Sequence, residues 1–263
     1  MQNRRPWLVG GLLLAGLQLF TLPVAAQSVN RNLIDQLNLQ FLYVALPLSI
    51  FVELILIYAV VRFRNNDDPK PTAEDAPLEI TWTIATAIIL LFVGVSAYTV
   101  FANPYISPAQ SVDVGASAGD AVGADPPADA VVVDVVAYQW GWQFRYPGAN
   151  VTTQNALVLP TDRDVYLRLS SADVVHSLFV PKLGLKQDIF PARRTVARTR
   201  VTQRGEYRVY CAEFCGAGHS RMLATATAVS PDAYRRWLDA HRGEGNVTSA
   251  PTPGANASVS ASA

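Results

Sequence analysis

The residues best suited to chemistry are crowded into one segment, CAEFCGAGHSRM, at residues 211–222. It holds both cysteines of the chain, one of its three histidines and one of its two methionines. Two cysteines outside the cytoplasm can pair as a disulfide. His219 and Met222 follow Cys215 closely, however, and thiolate, imidazole and thioether together favour copper. The segment therefore predicts a copper site.

The number of cysteines indicates which kind of copper site this is. A single copper of the blue type uses one cysteine, two histidines and a weak methionine. Two cysteines in one loop are one too many, so we expect both thiolates to bridge two coppers, each with its own imidazole. His176, in the apolar run VVHSLFV, is the expected second imidazole. His241 lies in the charged segment AYRRWLDAHRGE, where a surface role is expected.

These ligands need a scaffold, and residues 131–229 predict one that is all β. Short β-rich runs are separated by turn sequences such as PGAN, LPTD and QRGE, a pattern typical of a β-sandwich or barrel. We expect seven strands, in VVVDVVAY, WQFRY, DVYLRLSS, VVHSLFV, RTVARTRV, EYRVY and MLATATAV. A sandwich can bring the strand end at His176 beside the later loop. Residues 230–242 predict a short helix with Ser230 as N-cap.

Two apolar stretches upstream, at about 39–61 and 80–102, predict transmembrane helices. Arg62 and Arg64 follow the first stretch directly, which places the loop 62–79 in the cytoplasm and the later residues outside it. Glu53, the one acid in the first stretch, is either functional within the membrane or packed against a partner subunit.

Composition divides the chain into five parts. Residues 1–26 predict a signal peptide cleaved after Ala26, with a retained membrane helix as the alternative. Residues 27–106 form the membrane anchor, and 107–130, rich in Ala, Gly, Pro, Ser and Asp, a linker. The external domain spans 131–242. Residues 243–263 predict a disordered tail.

The motifs together resemble subunit II of the haem–copper cytochrome c oxidases. The resemblance covers residues 30 to 240 or so and rests on CAEFCGAGHSRM, SADVVHSLFVPKLGLKQDIFPARR, AYQWGWQFRYP and LEITWT. It implies two transmembrane α-helices as a hairpin, followed by an all-β cupredoxin-like sandwich. The sequence departs from the common family pattern at Leu178 and Thr86, neither of which is an expected ligand.

The resemblance implies a dinuclear copper centre called CuA, bridged by both cysteines. Weak ligands are the Met222 sulfur and the Glu213 main-chain carbonyl, while the Glu213 side chain binds a magnesium ion shared with subunit I. That side chain could also be an ordinary loop carboxylate. The full set of implied ligands is His176, Cys211, Glu213, Cys215, His219 and Met222.

Two further residues gain roles from the resemblance. Trp140 matches the exposed tryptophan at which electrons enter from a cytochrome, whereas Trp142 is expected in the core. Because Trp140 and Trp142 are two residues apart, their side chains would point to the same face of a sheet if both lay in one strand. Glu79 matches the acid at the mouth of a proton-uptake channel into subunit I. It could instead complement the dipole of the helix that it begins.

We therefore expect the electron-entry subunit of a terminal oxidase in the bacterial cytoplasmic membrane, multi-pass, with its C-terminal domain on the periplasmic side. The implied partners are oxidase subunits I and III, with the haems in subunit I, and a c-type cytochrome donor. A CuA-bearing subunit of a nitric or nitrous oxide reductase-type complex is the alternative. Two other functions are disfavoured. The subunit II of quinol oxidases lacks the copper ligands, which are all present here. A copper carrier must release its metal, whereas two bridging thiolates hold it.

Charge gives a further indication about partners. The formal net charge is zero, which argues neither for nor against nucleic acid, and no nucleic-acid partner is predicted. Residues 131–230 carry twelve basic and seven acidic side chains. We therefore expect a donor that is acidic, docks mostly through apolar contact or is tethered within the complex. Alternatively, the arginine run at 193–208 faces lipid headgroups or subunit I.

Overall fold

The computed structural model describes residues 26–68, 71, 73–108, 126–127, 129–247, 250–251 and 253. The predicted signal peptide, apart from residue 26, lies outside the described residues, as do most of the linker and most of the tail.

The chain begins with a pair of long apolar helices, α1 at Val29–Phe63 and α2 at Ala76–Phe101. Both are long and apolar enough to cross a membrane. They start earlier than the apolar stretches because polar side chains cap them: the Ser28 hydroxyl accepts from the Arg31 N–H at 3.0 Å, and the Asp75 carboxylate from the Leu78 N–H at 3.1 Å. The helix α1 continues through Pro47.

The helices form the expected hairpin and contact each other at the Phe41 and Phe92 rings, whose centroids lie 6.4 Å apart. Most of their large apolar side chains are exposed in the isolated chain. Such a surface is stable only against lipid or against other apolar helices.

A β-sandwich follows, with two packed sheets. The first has the strand order β11-β3-β2-β1-β5-β8 and the second β4-β10-β9-β6-β7. The strands are β1 Val131–Tyr138, β2 Gly141–Tyr146, β3 Val151–Gln154, β4 Ala156–Pro160, β5 Val165–Ser171, β6 His176–Val180, β7 Leu185–Ile189, β8 Thr195–Thr199, β9 Gly205–Cys211, β10 Leu223–Val229 and β11 Gly245–Val247.

The described residues thus form eleven strands where seven were expected. All seven predicted runs are strands, and the four missed strands, β3, β4, β7 and β11, have only three to five residues. The tail prediction was wrong at its start, since Gly245–Val247 pairs in parallel with β3 and Val247 is buried. A run of three residues carries too short a pattern to distinguish a sheet edge from a loop.

The core lies between the sheets and is filled by the inward side chains of alternating strand positions. Trp142 and Phe144 of β2 are fully buried. A last helix, α3 at Pro231–Ala240, closes one side, and the Trp237 ring lies 5.1 Å from the Tyr146 ring. The Ser230 hydroxyl accepts from the Ala233 N–H at its start, so the predicted helix and its cap are confirmed.

Candidate metal centre

The cysteine segment closes over one end of the second sheet. The strand β6 begins at His176 and β9 ends at Cys211, and the two strands pair with Leu178 opposite Cys211. The chain then loops through Cys215 into a 3-10 turn at His219–Arg221 and enters β10 directly after Met222. Antiparallel pairing thus brings together side chains that are 35 residues apart in sequence.

Three side chains with nitrogen or sulfur ligand atoms lie beside the two cysteines. The Cys211 Sγ and Cys215 Sγ atoms lie 3.8 Å apart. The His176 Nδ1 lies 3.7 Å from the Cys211 Sγ, and the His219 Nδ1 lies 3.6 Å from the Cys215 Sγ. The Met222 Sδ lies 3.7 Å from the Cys215 Sγ. Each thiol therefore has its own imidazole.

The main chain adds one more possible metal ligand. The Glu213 carbonyl oxygen lies 3.2 Å from the Cys211 Sγ, whereas the Glu213 side chain is exposed. The carbonyl and the carboxylate of this residue thus face different surroundings.

The donor set fits a soft metal better than a disulfide. Both cysteines are free thiols, and their sulfur separation is well beyond the bonded distance of about 2.05 Å. The ligand atoms of His176, Cys211 and Cys215 all lie within 4.8 Å of one another. Sulfur and imidazole donors at this spacing, with a thioether beside them, suit copper.

Most of the site is buried, which changes the chemistry of its thiols. His176 and Met222 are fully buried, and Cys215 is 2% exposed. Burial, together with the neighbouring Cys211, raises the pKa of the Cys215 thiol to about 11. A metal must therefore displace a proton from this sulfur when it binds.

A residue that the sequence reasoning missed holds His176 in place. The Asp173 Oδ1 lies 2.8 Å from the His176 Nε2, so Nε2 carries the proton and Nδ1 is left free to bind metal. Burial acts to raise the pKa of Asp173, but hydrogen bonds with His176, the Val174 N–H and the Gln139 N–H outweigh it and lower the pKa. A carboxylate three residues before a ligand histidine is a signal that could have identified it.

The two tryptophans occupy different environments, which corrects the expectation that they share one face. Trp142 is buried in β2, but Trp140 lies in the turn between β1 and β2 and is 43% exposed. The Trp140 Nε1 donates to the Cys215 carbonyl at 3.1 Å. A Cβ at Gly218 would lie only 2.3 Å from the Trp140 Cδ2, so the indole packs directly on the glycine.

The other predicted residues lie apart from this cluster. Glu79 is in the first turn of α2, about 33 Å of helix from its C-terminal end at Phe101. The His241 Nδ1 lies 2.8 Å from the Trp237 carbonyl oxygen, near the end of α3.

The surface around the loop is unusually apolar for this domain. Within residues 129–247, the large hydrophobic side chains that are exposed are Trp140, Val174, Phe214 and Leu223. Val174 is two residues from His176, Phe214 is between the cysteines, and Leu223 follows Met222. Exposed apolar side chains grouped near one loop are typical of a protein contact.

Comparison with known proteins identifies the family. Residues 149–229 match the family model described as cytochrome c oxidase subunit II, periplasmic domain. Residues 16–100 match the model described as cytochrome c oxidase subunit II, transmembrane domain.

Individual relatives extend these matches. Cytochrome c oxidase subunit 2 of Cereibacter sphaeroides is 30% identical over 93% of this chain and 86% of the relative. That of a Synechocystis strain is 31% identical over 84% of this chain and 75% of the relative. The periplasmic domain of subunit II of the Bradyrhizobium japonicum oxidase aligns with a TM-score of 0.42 at 21% identity, over 45% of this chain and 97% of that domain. The chain belongs to the cytochrome c oxidase subunit II family.

Proposed function

We propose that this chain is the electron-entry subunit of a membrane-bound terminal oxidase and holds a dinuclear CuA centre. The observation that carries the proposal is the paired arrangement of two free, buried thiols 3.8 Å apart, each beside one imidazole nitrogen. The residues that would hold the coppers are His176, Cys211, Cys215, His219, Met222 and the Glu213 main-chain carbonyl.

Copper held by these residues would supply a centre that accepts and releases one electron with little change in bonding. The protein contributes a largely buried setting for it. Strand pairing between β6 and β9 fixes His176 and Cys211, and Asp173 orients the His176 ring. With every position supplied by the protein, no open site is left for substrate, as suits electron transfer.

Electrons enter at Trp140 from a c-type cytochrome. Support comes from the exposure of this indole, its hydrogen bond to the Cys215 carbonyl and the apolar side chains around the loop. A flat aromatic ring makes a good contact for a haem edge. The electrons then pass to haem in subunit I, where oxygen is reduced and protons are pumped.

The membrane hairpin anchors the chain in an oxidase complex with subunits I and III. The periplasmic placement of the β domain in a bacterial cytoplasmic membrane is supported by Arg62, in the last turn of α1, and Arg64, just after it, at the end of the hairpin remote from the domain. Two carboxylates have roles in the proposed complex. The exposed Glu213 side chain binds magnesium at the subunit I interface, and Glu79 receives protons on the cytoplasmic side.

The copper assignment is tested by metal analysis and electron paramagnetic resonance (EPR) of the purified complex. About two coppers per chain and one unpaired spin shared by both metals are expected. Cys211→Ser or Cys215→Ser should abolish the shared-spin signal, whereas His241→Ala, which alters the third histidine, should retain it. A serine variant that keeps the signal would remove the bridging role. Optical haem spectra of the same complex distinguish an oxidase from a nitric or nitrous oxide reductase.

A further inference from the structure

One carboxylate, Asp164, lies where the membrane hairpin meets the β domain. Its Oδ1 accepts from the Tyr105 hydroxyl at 2.6 Å and from the Arg200 Nε at 2.8 Å. Its Oδ2 accepts from the Arg198 guanidinium at 2.7 Å. The carboxylate is only 19% exposed, and its bonds to the two arginines are charge-assisted.

The three donors come from two parts of the chain. Tyr105 lies four residues beyond the end of α2, whereas Arg198 and Arg200 lie in β8 and just after it. The Arg198 guanidinium carbon also lies 4.3 Å from the centre of the Tyr105 ring, a cation–π contact. Asp164 itself directly precedes β5. The carboxylate thus ties the exit of the hairpin to two neighbouring strands.

The entry to the hairpin is fixed to the same place. The Asn30 side-chain amide donates to the Tyr105 carbonyl at 2.5 Å and to the Arg198 carbonyl at 2.9 Å. The Val29 N–H donates to the Arg200 carbonyl at 3.0 Å. The Ser28 hydroxyl donates to the Leu183 carbonyl at 2.6 Å. Both ends of the hairpin therefore meet at Asp164 and its partners.

This junction lies at the end of the strands opposite to the metal centre. The strand β6 starts at His176, and the chain reaches Leu183, the partner of Ser28, just beyond the end of β6. Five strand residues span about 17 Å. A rotation of about 10° at the junction would therefore move the far end of such a strand by roughly 3 Å.

We propose that Asp164 is a positioning residue for internal electron transfer: it fixes the orientation of the β domain, and so of the metal centre, relative to the membrane hairpin. The inference rests on the proposed function, because only an electron-entry domain must hold its metal at a set distance from an acceptor in the membrane. Tunnelling rates fall exponentially with distance, so a loosened junction slows the transfer without altering the metal site.

The test uses the assembled oxidase carrying Asp164→Asn. The matched control is Asp134→Asn. Asp134 also bonds an arginine across two strands of the same sheet, at 2.6 Å and 3.0 Å to Arg168, but both of these bonds lie within the β domain and away from the hairpin. Copper content, the EPR spectrum, the donor KM and the rate of electron transfer from copper to haem after flash reduction are measured. Asp164→Asn should slow the internal transfer several-fold and leave the other three unchanged.

The outcomes separate this inference from the proposed function. If the parent complex lacks the copper spectrum, the proposed function fails. If the spectrum is intact and Asp164→Asn transfers electrons at the parent rate, or slows no more than Asp134→Asn, the positioning role is overturned. If the Asp164→Asn oxidase does not assemble, the Tyr105→Phe variant tests the proposal instead. It removes the hydrogen bond from Tyr105 to Asp164 and keeps the aromatic ring over Arg198. Tyr105→Phe should slow the copper-to-haem electron transfer less than Asp164→Asn would. A transfer rate equal to that of the parent would contradict the proposal.

Discussion

The Trp140 indole donates a hydrogen bond to the main-chain carbonyl of Cys215, with 3.1 Å between the Trp140 Nε1 and the Cys215 oxygen. An exposed aromatic ring is thus joined by one hydrogen bond to a residue of the metal loop. Gln139 binds the same carbonyl at 2.7 Å, so the turn before β2 and the loop are held together at two points. The exposed ring is therefore linked directly to the loop that carries the buried thiols.

Trp140→Ala should slow reduction of the copper centre by the donor strongly while leaving copper content and the EPR spectrum unchanged. Trp142→Ala is the matched control, because its ring is fully buried and its loss should cost about 3–5 kcal/mol of folding free energy. Stopped-flow reduction and thermal unfolding distinguish the two variants. Equal, purely structural losses in both would exclude the entry role.

Asp173→Ala should weaken copper binding by about 10–100-fold, because His176 loses the partner that sets its tautomer and ring orientation. Competition with a copper chelator measures the change. Asp134→Ala, in the same sheet but bonded to Arg168, should bind copper like the parent. Unchanged copper affinity in Asp173→Ala would show that strand pairing alone orients the imidazole.

A site residue can be predicted from the sequence when the other residues of the site lie close to it in the chain. Cys211, Cys215, His219 and Met222 lie in one segment, so their spacing alone indicated a metal site. His176 also required a fold, because β6 and β9 pair across 35 residues. The short strands were missed for the same reason, since a strand of three to five residues is specified by its partners. Asp173 was missed although it lies only three residues before His176.

Glu79→Gln should slow the proton-coupled reductive phase in subunit I and leave electron entry unchanged, because an amide cannot relay protons as a carboxyl does. The substitution keeps the side chain's size in the first turn of α2, where the Asp75 cap remains. Flow-flash kinetics and proton-pumping assays measure the two quantities. Normal turnover with normal pumping would leave Glu79 only a helix-terminal acid.

The Asp164 junction should make stability depend on pH. Burial acts to raise the pKa of Asp164, but hydrogen bonds from Arg200, Tyr105 and Arg198 outweigh it, so the folded pKa lies below the unfolded one. Its stabilisation is therefore present above the unfolded pKa and lost as pH falls through the folded one. Asp164→Asn should lower stability by about 2 kcal/mol at neutral pH.

The measurement for this prediction is thermal unfolding of the detergent-solubilised chain. The difference in Tm between the parent and Asp164→Asn should be largest above about pH 5 and shrink below about pH 4. A difference that stays constant down to acid pH would mean that the carboxylate charge does not contribute.

Oxidation of a basic cytochrome c should depend only weakly on ionic strength. Of the acids in the β domain, Asp134, Asp164 and Asp188 are paired with basic side chains of the same domain, and the exposed large hydrophobic residues surround the metal loop. Docking through apolar contact is insensitive to salt, which screens charges beyond about 8 Å. Rates of basic and acidic cytochromes c across ionic strength test this. A basic donor that is fast at low salt and slows steeply as salt rises would contradict it.

The packing of Trp140 on Gly218 means that substitutions at these two positions should be correlated in evolution. Any side chain at 218 would put its Cβ 2.3 Å from the Trp140 Cδ2 and displace the indole from the Cys215 carbonyl. A lineage that keeps the tryptophan must therefore keep the glycine, and one that loses the tryptophan frees position 218 to drift. Among descendants of this gene, substitutions at the two sites should appear in pairs, with the tryptophan lost first.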